Sequence, residues 1–382
     1  MRDRRALATP ALAGALFVYL TAEMFPIGVL PELARDLDTT ESRAGSLLSV
    51  YAAIAGLAIL PAVSIARRWD RRRVVVGSLL LLALSQVALA GAPDLQWALA
   101  ARAVGAVPHG VLWSVVPAVA ASLRPQEPGR ATARVFVGGS LALVAGAPAM
   151  TALAGWTGWR IAAASVGALA LALAAVAALS LPSMPAEARQ PPGIRATALS
   201  RPIVSICATT VAIVTASYIP YTFLSVLADD VSIRSSGLAG LQIGYGAAGL
   251  VAVALIGRLL DTRIRTALAL VTGGLVIAFG AIASCSGAVI FVAAVVVWGA
   301  AFACAAPTLQ TAVLRTDDAH PVVASAMYVL AFQIGIMAGS WSGGAVIDEV
   351  GSGWLAACGL GGVIVAGILA IPLFRATNAQ TR

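Results

Sequence analysis

Lysine is absent from this chain, charged residues make up only 11% of it, and 2 histidines and 4 cysteines are spread over its 382 positions. A water-soluble fold of that length needs a charged surface, and a composition 60% hydrophobic with mean hydropathy +0.92 cannot supply one. A bilayer is the solvent that accepts so much apolar area. Cys207, Cys285, Cys304 and Cys358 lie far apart with no CxxC spacing, which argues against a disulfide framework. With only His109 and His320 beside them, no metal cluster is expected either. Paired carboxylates, HExxH, a Ser/His/Asp spacing and a Gly-rich phosphate loop are all missing, so we expect neither an enzyme nor a cofactor.

What the chain does have is twelve apolar runs. They are residues 8–30, 44–66, 74–92, 95–123, 131–154 and 161–181, then 203–227, 238–260, 266–283, 288–314, 322–347 and 354–374. At about 1.5 Å per residue each can cross roughly 30 Å of hydrocarbon as a helix that satisfies its own backbone. The expected fold class is therefore an all-α polytopic membrane protein of twelve transmembrane helices. The basic, then apolar, N-terminus resembles a signal peptide, but the apolar run continues past Glu23 and eleven more follow.

Cytoplasmic connections retain basic residues, and 20 of the 25 arginines fall in alternate connections if both termini are cytoplasmic. The net charge of +8 is thus dispersed over short loops beside apolar helices, which points to topology and anionic lipid rather than to nucleic acid. The Arg-only, Ala-rich composition fits a bacterial cell membrane in a high-GC source. The expected partner on these grounds is the lipid bilayer, and the chain is expected to act as a monomer.

Residues 182–200 form a polar, Pro- and Ala-rich interval that divides the chain into two bundles of six, 1–181 and 201–382. Arg73 and Arg265, each ending a basic loop after the second span of its half, lie 192 positions apart. Gly158-Trp159 and Gly353-Trp354, each entering the last span of its half, lie 195 apart. Parallel repeats enclosing a central cavity are the expectation.

The loop after the eighth span, GRLLDTRIR, resembles the cytoplasmic signature of the major facilitator superfamily, with Gly257, Leu259, Asp261 and Arg265 in place. Its first-half copy, VSIARRWDRRR, has Val63 for the glycine and Arg67 for the acid but keeps Arg71, Arg72 and Arg73. TAEMFPIGVLPELARDL, ARAVGAVPHGVLWS, GSLALVAGAPAM and AFQIGIMAGSWSGGAVID narrow the likeness to the drug and sugar efflux branch, similar to arabinose-efflux-type and chloramphenicol-exporter-type proton antiporters. The resemblance covers essentially the whole chain. It implies two pseudo-symmetric six-helix bundles working by alternating access, driven by the proton gradient. It also implies a cytoplasmic gate at Gly257, Asp261, Arg263, Arg265 and Arg71 to Arg73.

Glu23 and Arg102 are the acid and base placed deep in the hydrocarbon, each seven residues from the outer end of its span, or about 10 Å down. Intramembrane ions need a partner, a proton or water. The pair is either a proton-coupling device or a permanent structural ion pair, and the resemblance, in which the fourth-span arginine belongs to proton coupling, favours the first. His109 and Trp113 follow Arg102 along one helical stripe. The histidine either relays protons or packs, and the indole either faces a substrate ring or belongs to the core.

Tyr218, Tyr221, Gln242, Tyr245, Gln310, Tyr328 and Gln333 are candidate cavity residues, against the alternative of hydrogen bonds between helices. Gly146, Pro148 and the series Gly335, Gly339, Gly343 mark close helix packing, expected along the surface on which the halves rock. The expected function is proton-driven efflux of a small drug-like or sugar-like molecule. Sugar uptake or facilitated diffusion is the alternative within transport, and a receptor or membrane enzyme is the alternative outside it.

Overall fold

The computed structural model describes residues 7–66, 68–124, 128–184, 200–233, 235–284, 287–316 and 321–370; some helical side chains within these stretches, including that of Asp261, fall outside the description. The chain divides into two compact units, Met1–Arg189 and Gln190–Arg382. The 182–200 linker lies largely outside the described residues.

In the first unit, α1 (Ala8–Gly28) runs into the short α2 (Leu30–Asp36), followed by α3 (Glu41–Ala66) and α4 (Arg71–Ala90). The fourth span comprises α5 (Leu95–Ala106) and α6 (His109–Leu123), the fifth α7 (Pro128–Leu141), a π-helical turn (Ala142–Gly146) and α8 (Ala147–Thr157), and α9 (Trp159–Ser180) closes the set. The second unit repeats the plan with α10 (Arg201–Tyr221), short α11 (Leu224–Asp230), α12 (Ser235–Thr262), α13 (Ile264–Ser284), α14 (Ala288–Leu314) and α15 (Pro321–Val350). A 3₁₀ turn (Ser352–Trp354) then leads into α16 (Leu355–Leu369). Eleven described helical stretches are long and apolar enough to cross a membrane. Apolar side chains are exposed on these stretches as well, among them Leu57, Leu179, Leu255 and Val289.

The expected single helix over 95–123 is broken. Val107 N–H still bonds back to the Ala103 carbonyl at 3.3 Å, but Pro108 has no N–H to give, and the next helix starts with Leu112 N–H on the Pro108 carbonyl at 2.9 Å. A proline removes one helical bond and its ring crowds the preceding turn, so the helix restarts there, with His109 as its first residue. The expected helix over 131–154 is likewise interrupted, by the π-turn just before Pro148.

The repeat is visible in the backbone. Asp38 and Ser232, each just beyond the short helix of its half, both have positive φ, at 48° and 61°. Gly158 opens α9 at φ 85°, and its counterpart is Gly351 at φ 90°, not the Gly353 of the sequence echo. The 3₁₀ turn accounts for the two-residue difference.

Small residues bring helices together inside each unit. A Cβ on Gly335 would lie 2.6 Å from Val214 Cβ, one on Gly339 2.7 Å from the Thr215 carbonyl and one on Gly343 2.6 Å from the Ile219 carbonyl, so α15 rests on the backbone of α10. Gly146 similarly lets the π-turn approach Thr21 and Phe17 of α1, and Pro148 is buried two residues on.

Candidate functional site

The buried charged residues Glu23 and Arg102 meet where α1, α3 and the broken fourth span converge. Pro26 sits inside α1 and offers no N–H to the carbonyl of Ala22, four residues back. Arg102 Nη1 takes that free carbonyl at 2.8 Å, Nη2 donates to the Glu23 carbonyl at 3.1 Å and Nε to the Leu47 carbonyl of α3 at 3.1 Å. The guanidinium is fully buried and lies over the ring of Tyr51, 4.5 Å from its centroid. Arg102 therefore ties α1 and α3 to α5 through main-chain oxygens, each a charge-assisted bond in a medium without water.

The Glu23 carboxylate faces His109. Oε2 is 3.7 Å from Nε2 of the imidazole, and the other ring nitrogen, Nδ1, is 3.1 Å from the Tyr51 hydroxyl. Tyr19 and Tyr51 present their rings edge-on to His109, with centroids at 5.8 and 5.6 Å. Tyr19 is held by its own hydroxyl on the Ser78 carbonyl at 2.6 Å. Trp113, one turn along α6, is half-buried with its ring centroid 6.0 Å from His109 and 5.9 Å from Phe136. Of the expected site residues the structure thus brings Glu23, Arg102, His109 and Trp113 together. The stripe containing Arg102 and His109 crosses the Pro108 break and is not one continuous helix. Tyr51 and Tyr19 were not among the sequence candidates, whose tyrosines all lie in the second half.

Chemically, the arrangement holds a fixed cation whose donors are engaged by backbone, beside an acid and an imidazole that can share or exchange a proton. Both exchanging groups are buried.

In the second unit the candidates form an aromatic cluster. Tyr221 stacks on Tyr245 at 5.0 Å, Tyr218 meets Tyr221 edge-on at 5.5 Å, and Trp298 is perpendicular to Tyr221 and Tyr245 at 5.6 Å each. Trp298 is a further member missed in the sequence. Gln242 and Gln333 are buried and Gln310 is half-buried, while Tyr328 donates to the Ala306 carbonyl at 3.2 Å. Thr222 and Ser340 join α10 to α15 by a 2.8 Å hydroxyl pair.

Among the gate candidates, Arg72 and Arg73 line a cleft of about 530 Å³ with Asp70 and Ser183, and Arg71 sits beside them at the start of α4. Asp70 caps α4 by accepting from Arg73 N–H at 3.2 Å, and its other oxygen accepts from Ser183 Oγ at 2.6 Å and Met184 N–H at 2.7 Å. Partial burial pushes its carboxyl pKa up, but these hydrogen bonds outweigh that and hold it below the usual value. The first half therefore does have an acid at this end, three residues after Arg67. Arg263 is exposed and Arg265 half-buried, flanking the start of α13. The surroundings of Gly257 and the side chain of Asp261 lie outside the described residues.

A helical membrane protein built from two repeated units, with a buried charge cluster in one and an aromatic cluster in the other, is a transporter architecture. The model of the Major Facilitator Superfamily matches residues 12–340, and the chain belongs to that family. It is 38% identical to a chloramphenicol efflux pump of Mycobacterium tuberculosis over 99% of this chain and 93% of the pump. It is 26% identical to a probable sugar efflux transporter of Mannheimia succiniciproducens, over 89% of this chain and 87% of the relative. The fold matches a crystal structure of the nucleoside transporter NupG with a TM-score of 0.79 at 13% identity, covering 97% of this chain and 100% of that one. The protein is a multi-pass membrane transporter, not an enzyme.

Proposed function

We propose that this transporter is a proton-coupled exporter of a small neutral or weakly polar molecule, working by alternating access from the bacterial inner membrane with both termini cytoplasmic. The observation that carries the proposal is the buried contact between Glu23 and His109 beside the backbone-anchored Arg102. An acid in hydrocarbon is expensive when ionised and alone. One that can trade a proton with an adjacent imidazole as its surroundings change is a coupling site. The arginine layout supports the orientation.

For the substrate, the buried Tyr245 hydroxyl, Trp298 indole N–H and Gln333 Oε1 have no hydrogen-bond partner among the described residues. Aromatic faces with spare polar atoms suit a hydroxylated or amide-bearing aromatic molecule. The efflux-pump relatives make chloramphenicol the first compound to try. Asp261 and the arginines on either side of it are the proposed inner gate, with Asp70 as its counterpart in the first half.

The test is purified protein in liposomes with an imposed pH gradient and labelled chloramphenicol, alongside growth protection in an efflux-deficient host. Accumulation against the concentration gradient, abolished by a protonophore, is the expected result. Equilibration that ignores the pH gradient would show facilitated diffusion instead.

A further inference from the structure

The ionisable neighbours of His109 are Glu23 and Tyr19 from α1, Tyr51 from α3 and Arg102 from α5, while α7 contributes the phenyl of Phe136 behind Trp113. Their roles differ. The Tyr19 hydroxyl donates to the Ser78 carbonyl and the guanidinium of Arg102 donates to three carbonyls. The Tyr51 hydroxyl, in contrast, has the imidazole Nδ1 as its partner at 3.1 Å, and a hydroxyl both donates and accepts.

We propose that Tyr51 is a positioning residue for the proton site: its hydroxyl alternates between donor and acceptor to Nδ1 of His109 and so sets which imidazole tautomer faces Glu23. The proposal rests on the reading of Glu23 and His109 as that site. When Glu23 is a carboxylate, Tyr51 O–H donates to Nδ1 and the proton on Nε2 points at Oε2. When Glu23 is protonated, its O–H points at the lone pair on Nε2, and Nδ1–H donates to the Tyr51 oxygen. The imidazole is neutral in both states, and the two differ by one proton, carried on Glu23.

The separation of 3.7 Å between Nε2 and Oε2 is beyond a hydrogen bond, and an approach of about 0.5–1 Å makes it one. The Pro108 break lies immediately before His109, and Pro26, inside α1 three residues after Glu23, leaves one bond of that helix's ladder unmade, so both groups sit where the ladder is already incomplete. The ring of Tyr51 has a separate task, as the face beneath Arg102. The two tasks are separable by mutation.

In the full-length protein in liposomes, Tyr51→Phe keeps the ring and removes the hydroxyl. Its expected effect on chloramphenicol transport is a displaced pH midpoint, by about half a unit to one unit, the size of one lost hydrogen bond. In a His109→Gln background, where no tautomer exists, Tyr51→Phe should add no further displacement. An unchanged midpoint in the single variant, or an equal displacement in the double one, overturns the proposal. A measurement on the unmodified protein is independent of how well the variant folds. Nitrogen NMR of labelled histidine, assigned against His109→Gln, should show the protonated ring nitrogen changing as pH crosses the transport midpoint, and one fixed tautomer at every pH overturns it. Glu23→Gln separates the two ideas, since continued gradient-driven transport there removes the proton site itself whatever Tyr51 does.

Discussion

The two halves share a backbone plan but fill it with different chemistry. Tyr51 and Tyr245 stand 194 positions apart on corresponding helices, α3 and α12. In the first half the cation of Arg102 covers the tyrosine ring, and in the second the neutral indole of Trp298 meets it edge-on. At the same offset the place of Glu23 is taken by Ser217, and one position short of it that of His109 by Phe302. The helices differ in the same sense. The fourth span is broken at Pro108 and the fifth carries a π-turn, while their counterparts α14 and α15 run unbroken for 27 and 30 residues, α14 even through Pro307. π-turns and proline breaks cost helical hydrogen bonds and tend to occur where function needs them. The comparison teaches that one backbone plan can hold an ionic cluster on irregular helices in one half and an aromatic cluster on regular helices in the other.

The largest break in that comparison comes from removing the exchangeable proton of the ionic half. Glu23→Gln preserves size and loses the carboxyl chemistry, so the accumulation ratio in the pH-gradient assay should collapse to unity while the protein remains folded and inserted. Uphill export at the unmodified level would show the cluster to be structural scaffolding. Next in size is a disturbance of the regular half. Gly339→Val places atoms against the Thr215 carbonyl and Tyr218 Cβ, where backbone cannot yield. Overpacking of this kind costs about 1–3 kcal/mol, to be seen as a lowered melting temperature in detergent. An unaltered melt would mean that α15 and α10 are free to separate.

How far this difference is legible in the sequence depends on the kind of signal. Span positions, and the repeat through Arg73 and Arg265, follow from hydropathy and charge, which act along the chain. The proximity of Glu23, Arg102 and His109 was within reach because intramembrane ions must find partners. That the guanidinium would take carbonyls, including the one freed by Pro26, depends on which backbone oxygens face it, and no spacing in one dimension reveals that. Tyr51 and Trp298 were left out because neither has a charged or amide residue close to it along its own helix, and the groups they meet come from other helices. The π-turn before Pro148 leaves no compositional trace, whereas the break at VPHG is marked by its proline, a signal that mean hydropathy along the run passes over. Asp70 stands three residues beyond Arg67, the position at which the signature carries its acid, so the motif does not point to the cap that forms there.

A smaller effect would sharpen the assignment of roles. Tyr245→Phe removes a buried hydroxyl that has no partner among the described residues, so stability should change by less than about 0.5 kcal/mol or rise slightly. If the aromatic half binds substrate through that hydroxyl, apparent affinity for chloramphenicol falls by about fivefold, the worth of one hydrogen bond. The pH midpoint of transport should stay where it is. A moved midpoint with unchanged affinity would assign proton chemistry to both halves and erase the distinction.

The last expected effect is on stability alone and concerns the carboxylate that latches the start of α4. Asp70 both caps α4 and grips the exit of α9 through Ser183 and Met184. Asp70→Ala should cost about 1 kcal/mol at neutral pH, the usual worth of an N-cap. Asp70→Asn should cost less, because an amide oxygen still caps. The pH dependence has a definite sign. The Asp70 pKa is lower in the folded protein than in the unfolded chain, so its contribution is fully present above the ordinary aspartate range and is lost as pH falls through the lowered folded value. Thermal melts of the unmodified protein and of Asp70→Ala should therefore differ at neutral pH and converge in acid. Curves that stay parallel down to pH about 3 would mean that the contacts of this carboxylate add nothing to the stability of the first half.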